Sequence, residues 1–165
     1  MKIKSGKNNE INAVELWKQL DNTRFAIARL RTMELAQFGL TIEQSQILRT
    51  LFENNGSLTT KKLMEITMRQ PNSISVLVNR MVKMGLLKRE KNKSGRMHGI
   101  HLTQNGEDLI KRVTVASIEM PLAVFTAEEK QQLSLYLDKL LENSRELLGI
   151  PHLPPFLKYL KEKEH

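Results

Sequence analysis

Two stretches of helical apolar spacing, separated by only about three residues, constrain this chain more than any other feature. Leu63 and Ile66 mark a short helix over roughly residues 60–67, and Ile74, Leu77, Val78 and Met81 follow at i, i+3, i+4 and i+7. Pro71 suits the first position of the second helix, where its missing N–H costs nothing. A gap that short is a turn and not a linker, so the spacing predicts a helix-turn-helix. Asn72, Ser73, Ser75, Val76 and Asn79 are left on the outer side of its second helix, which Gly85 closes. Residues 87–90 then lead into Asn92-Lys93-Ser94-Gly95-Arg96, and residues 98–102 read as a returning strand. The expectation is a two-stranded hairpin with a basic tip.

The flanking segments are helical as well. Val14, Trp17, Leu20, Ile27, Leu30 and Leu35 recur near helical spacing over residues 12–37, and Gly39 is the natural stop. Thr41 and Gln44 form a capping box for a helix whose apolar face is Ile47, Leu48, Leu51 and Phe52. Thr103 caps a fifth helix, expected to run from Gln104 to about Met120 and to break at Pro121. Thr126 and Glu129 box a sixth, striped by Leu133, Tyr136, Leu137, Leu140, Leu141, Leu147 and Leu148 and ended by Gly149 and Pro151. Both terminal patterns are more apolar than one small lobe can bury, which points to a homodimer. The organisation expected is a flexible N-terminus over 1–11, a dimerisation helix over 12–38 and a lobe over 40–103. Further dimerisation helices follow over 104–149. The tail over 150–165 carries Phe156, Leu157, Tyr159 and Leu160 and is expected to pack at the dimer interface.

Charge is distributed as unevenly as apolarity. Between Leu58 and Arg112 there are twelve Lys or Arg against four Asp or Glu, and the rest of the chain sums to zero, so the whole net charge of +8 lies in that third. A polyanion would meet one face, and nucleic acid is the commonest such partner. A helix enters a major groove only if its exposed face is slim and able to hydrogen-bond base edges, a demand that Asn72, Ser73, Ser75 and Asn79 meet. On an arbitrary helix the same residues would be an ordinary solvated face. Their place between a tight turn and a Lys/Arg-rich hairpin favours the base-reading alternative.

Other chemistries find little support. There is no cysteine, which removes disulfides, thiolate nucleophiles and thiol redox sensing. No apolar run is long enough to span a membrane, and residues 1–10 have no apolar core of a signal peptide, so a cytoplasmic protein is expected. His98 and His101 stand three apart on the expected strand, hence on opposite faces, which does not suit a shared metal. No phosphate-binding loop or nucleophile motif occurs, and no cofactor, metal or catalytic activity is expected.

The stretch Val78-Asn79-Arg80-Met81-Val82-Lys83-Met84-Gly85-Leu86-Leu87-Lys88-Arg89 resembles the multiple-antibiotic-resistance (MarR) family of winged helix-turn-helix transcriptional regulators, in its pattern of recognition helix, glycine, first wing strand and arginine. Arg96 matches the family's wing arginine, and Leu102-Thr103-Gln104-Asn105-Gly106 matches the L-T-x-x-G after it. Ser94 stands where the family has an acidic residue that orients that arginine. The resemblance implies a mainly α fold with a small β-hairpin wing, comprising a winged helix-turn-helix lobe and a helical dimerisation region. It also implies a homodimeric repressor of double-stranded DNA at a pseudo-palindrome, and in many relatives release by a small aromatic or lipophilic ligand. On that reading Asn72, Ser73, Ser75, Val76 and Asn79 read bases, and Lys61, Lys62, Arg69, Lys88, Lys91 and Lys93 hold phosphates. Arg96 enters the minor groove. Arg24, Arg29 and Arg31 could face an effector cavity or be exposed or paired between helices. A protein-interaction module, or a ligand sensor without operator binding, is the alternative.

Overall fold

The computed structural model describes residues 11–91 and 97–149. The N-terminal residues 1–10, the wing tip with Lys93 and Arg96, and the tail from 150 onward lie outside the described residues, as do the side chains of Lys91, Met97 and His98.

Helix α1 (Ala13–Ala36) starts where the Asn12 side chain accepts from the N–H groups of Val14 and Glu15. Its C-terminal end reaches the core through Leu35. Helix α2 (Ile42–Glu53) opens on the expected Thr41–Gln44 capping box and buries Ile47, Leu48 and Leu51 completely. A short strand β1 (Ser57–Leu58) leads into α3 (Thr60–Thr67), which buries Leu63 and Thr67 and leaves Ile66 only partly covered. Met68 ends α3 in the left-handed region at φ 52°, and the chain turns directly into α4 (Pro71–Lys83), with Pro71 in its first turn as its sequence predicts. The buried face of α4 is Ile74, Val78 and Met81.

Strands β2 (Leu87–Lys91) and β3 (Met97–Leu102) form the wing hairpin, with an irregularity in register after Glu90. The sheet has three strands in the order β1-β3-β2, where the sequence suggested two. The third is only two residues long, Ser57 facing His101 and Leu58 facing Ile100, and a two-residue strand carries no alternation that a sequence could display.

The expected fifth helix is two helices. Helix α5 (Gln104–Arg112) stops at Val113, whose backbone is extended, and α6 (Ala116–Leu122) begins after Val115. Three β-branched residues in succession, Val113-Thr114-Val115, weaken the helix there, and Val113 is buried in the core instead. Pro121 does not break anything at its own position: it lies inside α6, which ends a residue later, so few backbone bonds are at stake. Helix α7 (Ala127–Leu147) opens on the Thr126–Glu129 capping box.

One core joins these elements. Leu35, Leu40, Ile47, Leu48, Leu51, Leu63, Ile74, Val78, Met81, Leu86, Leu87, Ile100, Ile110 and Val113 form a single buried cluster. It runs from the end of α1 to Val113, the residue just after α5. Neither α6 nor α7 buries any residue, and Val14, Trp17, Phe25 and Met33 on α1 and Tyr136, Leu137, Leu140 and Leu141 on α7 remain exposed in the single chain.

Candidate nucleic-acid interface

The geometry of α4 follows from what holds it from behind. Its buried stripe packs on the lobe core, and the guanidinium of Arg89 on β2 donates from Nη2 to the Ser75 carbonyl at 3.4 Å, tying the helix to the wing. At its C-terminal end the Gly85 amide donates to the Val82 carbonyl with φ at +71°, a conformation that costs glycine least. The Thr103 hydroxyl donates to the Gly85 carbonyl at 2.7 Å and the Thr103 amide to the Leu86 carbonyl at 3.1 Å. Gly106 sits so close that a Cβ would overlap the Leu86 carbonyl oxygen. Thr103 and Gly106 of the L-T-x-x-G segment are thus the clamp between the end of the helix hairpin and α5.

On its outer side α4 exposes Asn72, Ser73, Val76 and Asn79, together with Arg80 and Lys83. Ser75 is half-buried at the flank. Asn72, Val76, Asn79 and Lys83 stand at i, i+4, i+7 and i+11, one stripe along the helix opposite the core. Sequence reading singled out Asn72, Val76 and Asn79 of this stripe but not Lys83, nor Arg80 beside it, whose signal was their helical phase.

The expected phosphate-contacting cations occupy three different environments. Lys61 and Lys88 are exposed; Lys62, half-exposed, lies 3.7 Å from Glu65. Arg69, in the turn before α4, is held back toward α2: its Nη2 donates to Gln46 Oε1 at 3.4 Å and lies 3.9 Å from Glu43. The Glu43 carboxyl is held below its ordinary range, first by a backbone N–H at the start of α2 and then, against burial, by the Thr41 hydroxyl and the Arg69 charge. Lys91 ends β2 with its side chain outside the described residues, and Lys93 and Arg96 lie outside them altogether.

His101 lies on the solvent side of the sheet with its Nε2 2.7 Å from Glu90. Among the described residues no group of His, Asp and Glu could hold a metal ion. No helix among them is long and apolar enough to cross a membrane.

Behind the lobe, Arg31 and Glu34 on α1 form a buried pair at 2.5 Å. The Arg31 guanidinium also donates to the Thr114 carbonyl at 2.7 Å and reaches Ser45 Oγ on α2 at 3.4 Å. Glu34 accepts from the hydroxyls of Thr114 and Ser117 and from the N–H groups of Ala116 and Ser117, the first amides of α6. Burial pushes its carboxyl up, but these hydrogen bonds outweigh that and bring it to about 2. Of the three α1 arginines, then, Arg31 is a buried tie between helices and Arg24 pairs with Asp21 at the surface. Arg29 lines a groove of about 430 Å³ with Phe25, Ala28, Thr32 and Met33.

Comparison with known proteins agrees with this geometry. Residues 38–96 match the profile of the MarR family. A sequence comparison with curated proteins gives no match. Among solved structures, the organohalide sensing RdhR transcriptional regulator in its 2,4-dichlorophenol bound form is 27% identical over 94% of this chain and 98% of its own, with a TM-score of 0.78. AbsC, a MarR family transcriptional regulator from Streptomyces coelicolor, is 26% identical over 84% of this chain and 99% of its own, with a TM-score of 0.73. A mutant MarR from E. coli complexed with operator DNA shares the fold at 21% identity, TM-score 0.67, over 83% of this chain and 99% of its own. The lobe over residues 38–96 thus matches the MarR family, and the chain around it has the fold of solved MarR family transcriptional regulators.

Proposed function

We propose that the protein is a cytoplasmic, homodimeric repressor without catalytic activity, which grips a pseudo-palindromic operator with two copies of the winged lobe. The observation that carries this reading is the outer stripe of α4, slim, largely polar and exposed, at the centre of the only strongly basic third of the chain. Asn72, Ser73, Ser75, Val76 and Asn79 read bases in the major groove; Lys61, Lys62, Lys88, Lys91 and Lys93 hold phosphates. Arg69 joins them at the cost of its contact with Glu43, and Arg96 enters the minor groove. Support for the dimer comes from α1 and α7, whose exposed apolar faces exceed what a soluble monomer ordinarily carries; Trp17 alone is 62% exposed. That a similar regulator was solved with 2,4-dichlorophenol supports release by a small aromatic ligand. Two recognition helices in successive major grooves need half-sites about 10 bp apart, hence an operator of about 16–20 bp. Selection of bound fragments from the source genome, followed by footprinting, tests the proposal. Two-fold symmetric protection of that length is expected; saturating protection of one half-site by a monomer would refute it.

A further inference from the structure

We infer that Val76 reads the 5-methyl group of a thymine, and that this contact, not only the asparagine amides, sets base preference at the centre of each half-site. The inference rests on the DNA-binding reading above. Between Gln37 and Arg112, the exposed large apolar side chains among the described residues are Met68, Val76 and Met84. Met68 caps the end of α3, and the sulfur of Met84 accepts from Gln44 Nε2 at 3.3 Å. Val76 has no such local role. It is 65% exposed in the middle of α4, and a β-branched residue at an exposed helix position is a poor choice for helix stability alone.

Its position explains it. Asn72 lies one turn before it and Asn79 one turn after it on the same stripe, so whatever base edges the two amides approach, Val76 faces the groove floor between them. Arg80 and Lys83 on the same exposed side make an acidic, hydrated surface the electrostatic complement. The one apolar feature that B-DNA presents in its major groove is the thymine methyl, and a branched aliphatic side chain too short to reach past it is the matching shape.

The test uses the full-length protein and a duplex enriched by it from a random-sequence pool. Each thymine of that duplex is replaced in turn by deoxyuridine, which deletes the methyl and leaves base pairing intact. One symmetric thymine per half-site is expected to matter, its methyl contributing about fourfold in affinity, the worth of one buried methyl-sized group. Val76→Ala is expected to weaken binding to the thymine duplex and to bind thymine and deoxyuridine duplexes alike. Val76→Thr, which keeps one branch methyl, should retain part of the discrimination. Indifference of the wild type to every replacement would overturn the inference, as would Val76→Ala discriminating as well as the wild type, while DNA binding itself stood. Enrichment of no sequence at all would overturn the DNA-binding reading and this inference with it.

Discussion

Glu34 on α1 accepts hydrogen bonds from the first two amides of α6, and its guanidinium partner Arg31 donates to the Thr114 carbonyl that precedes them. Val115, at the start of α6, supplies no side-chain cap of its own, so the cap of this helix is provided by a residue some eighty positions away. The same guanidinium touches Ser45 on α2. One buried ion pair therefore fixes α6 and the DNA-binding lobe to the same turn of α1.

Removing one partner of such a pair strands the other's charge. Arg31→Ala or Glu34→Ala is expected to destabilise the protein by about 3–5 kcal/mol. Chemical denaturation at fixed protein concentration checks this, since dimerisation would make apparent stability concentration-dependent.

The Glu34 carboxyl also predicts an acid limb. Its folded value near 2 lies below the ordinary 4.5, so its contribution to stability is complete above about 4.5 and is lost as the pH falls toward 2. Stability measured against pH should fall through that window, and more steeply in the wild type than in Glu34→Gln, which has no proton to take up there. Equal slopes in the two proteins would show that other carboxylates carry the acid transition.

Gly106 is fixed by contact, not by backbone conformation. Gly106→Ala places a methyl against the Leu86 carbonyl, an immobile backbone atom, and is expected to cost about 1–3 kcal/mol of stability. Thermal unfolding reads it. Because the strain falls on the joint between α4 and β2, DNA affinity should drop more than global stability alone explains.

Base-reading and phosphate-holding side chains should separate in salt. Lys88→Ala is expected to lower the slope of log affinity against log salt by about one unit and to weaken every sequence alike. Asn72→Ala or Asn79→Ala should leave the slope unchanged, cost about 1–3 kcal/mol on the preferred duplex and relax preference at one position. Arg69→Ala should change the slope less than Lys88→Ala, because Glu43 already neutralises part of its charge.

The unpartnered helices predict the assembly. A charge placed within the apolar stripe of α7, Leu137→Glu or Leu140→Glu, should shift the protein from dimer to monomer in sedimentation and abolish two-fold footprints, with little change in the folding of the lobe.

Local chemistry wrote most of the helix-turn-helix. The capping boxes at Thr41 and Thr126, Pro71 in the first turn of α4 and the positive φ of Gly39, Gly85 and Gly149 are read within a few residues of chain, and the structure bears each of them out. The phase of α4 was equally legible, because burial of Ile74, Val78 and Met81 dictates that Asn72, Val76 and Asn79 face outward. What sequence did not reveal depends on partners far along the chain. The break between α5 and α6 was expected at Pro121, the strongest local breaker, yet it falls at Val113-Thr114-Val115, where a buried valine and a carboxylate from α1 reward an interrupted helix. Strand β1 exists only because β3 offers it hydrogen bonds, and Arg31 is buried only because Glu34, Thr114 and Ser45 converge on it. Caps, turns and helical phase are decided by neighbours in sequence; a buried charge, a two-residue strand and an uncapped helix start are affordable only when tertiary packing brings the missing hydrogen-bond partner to them.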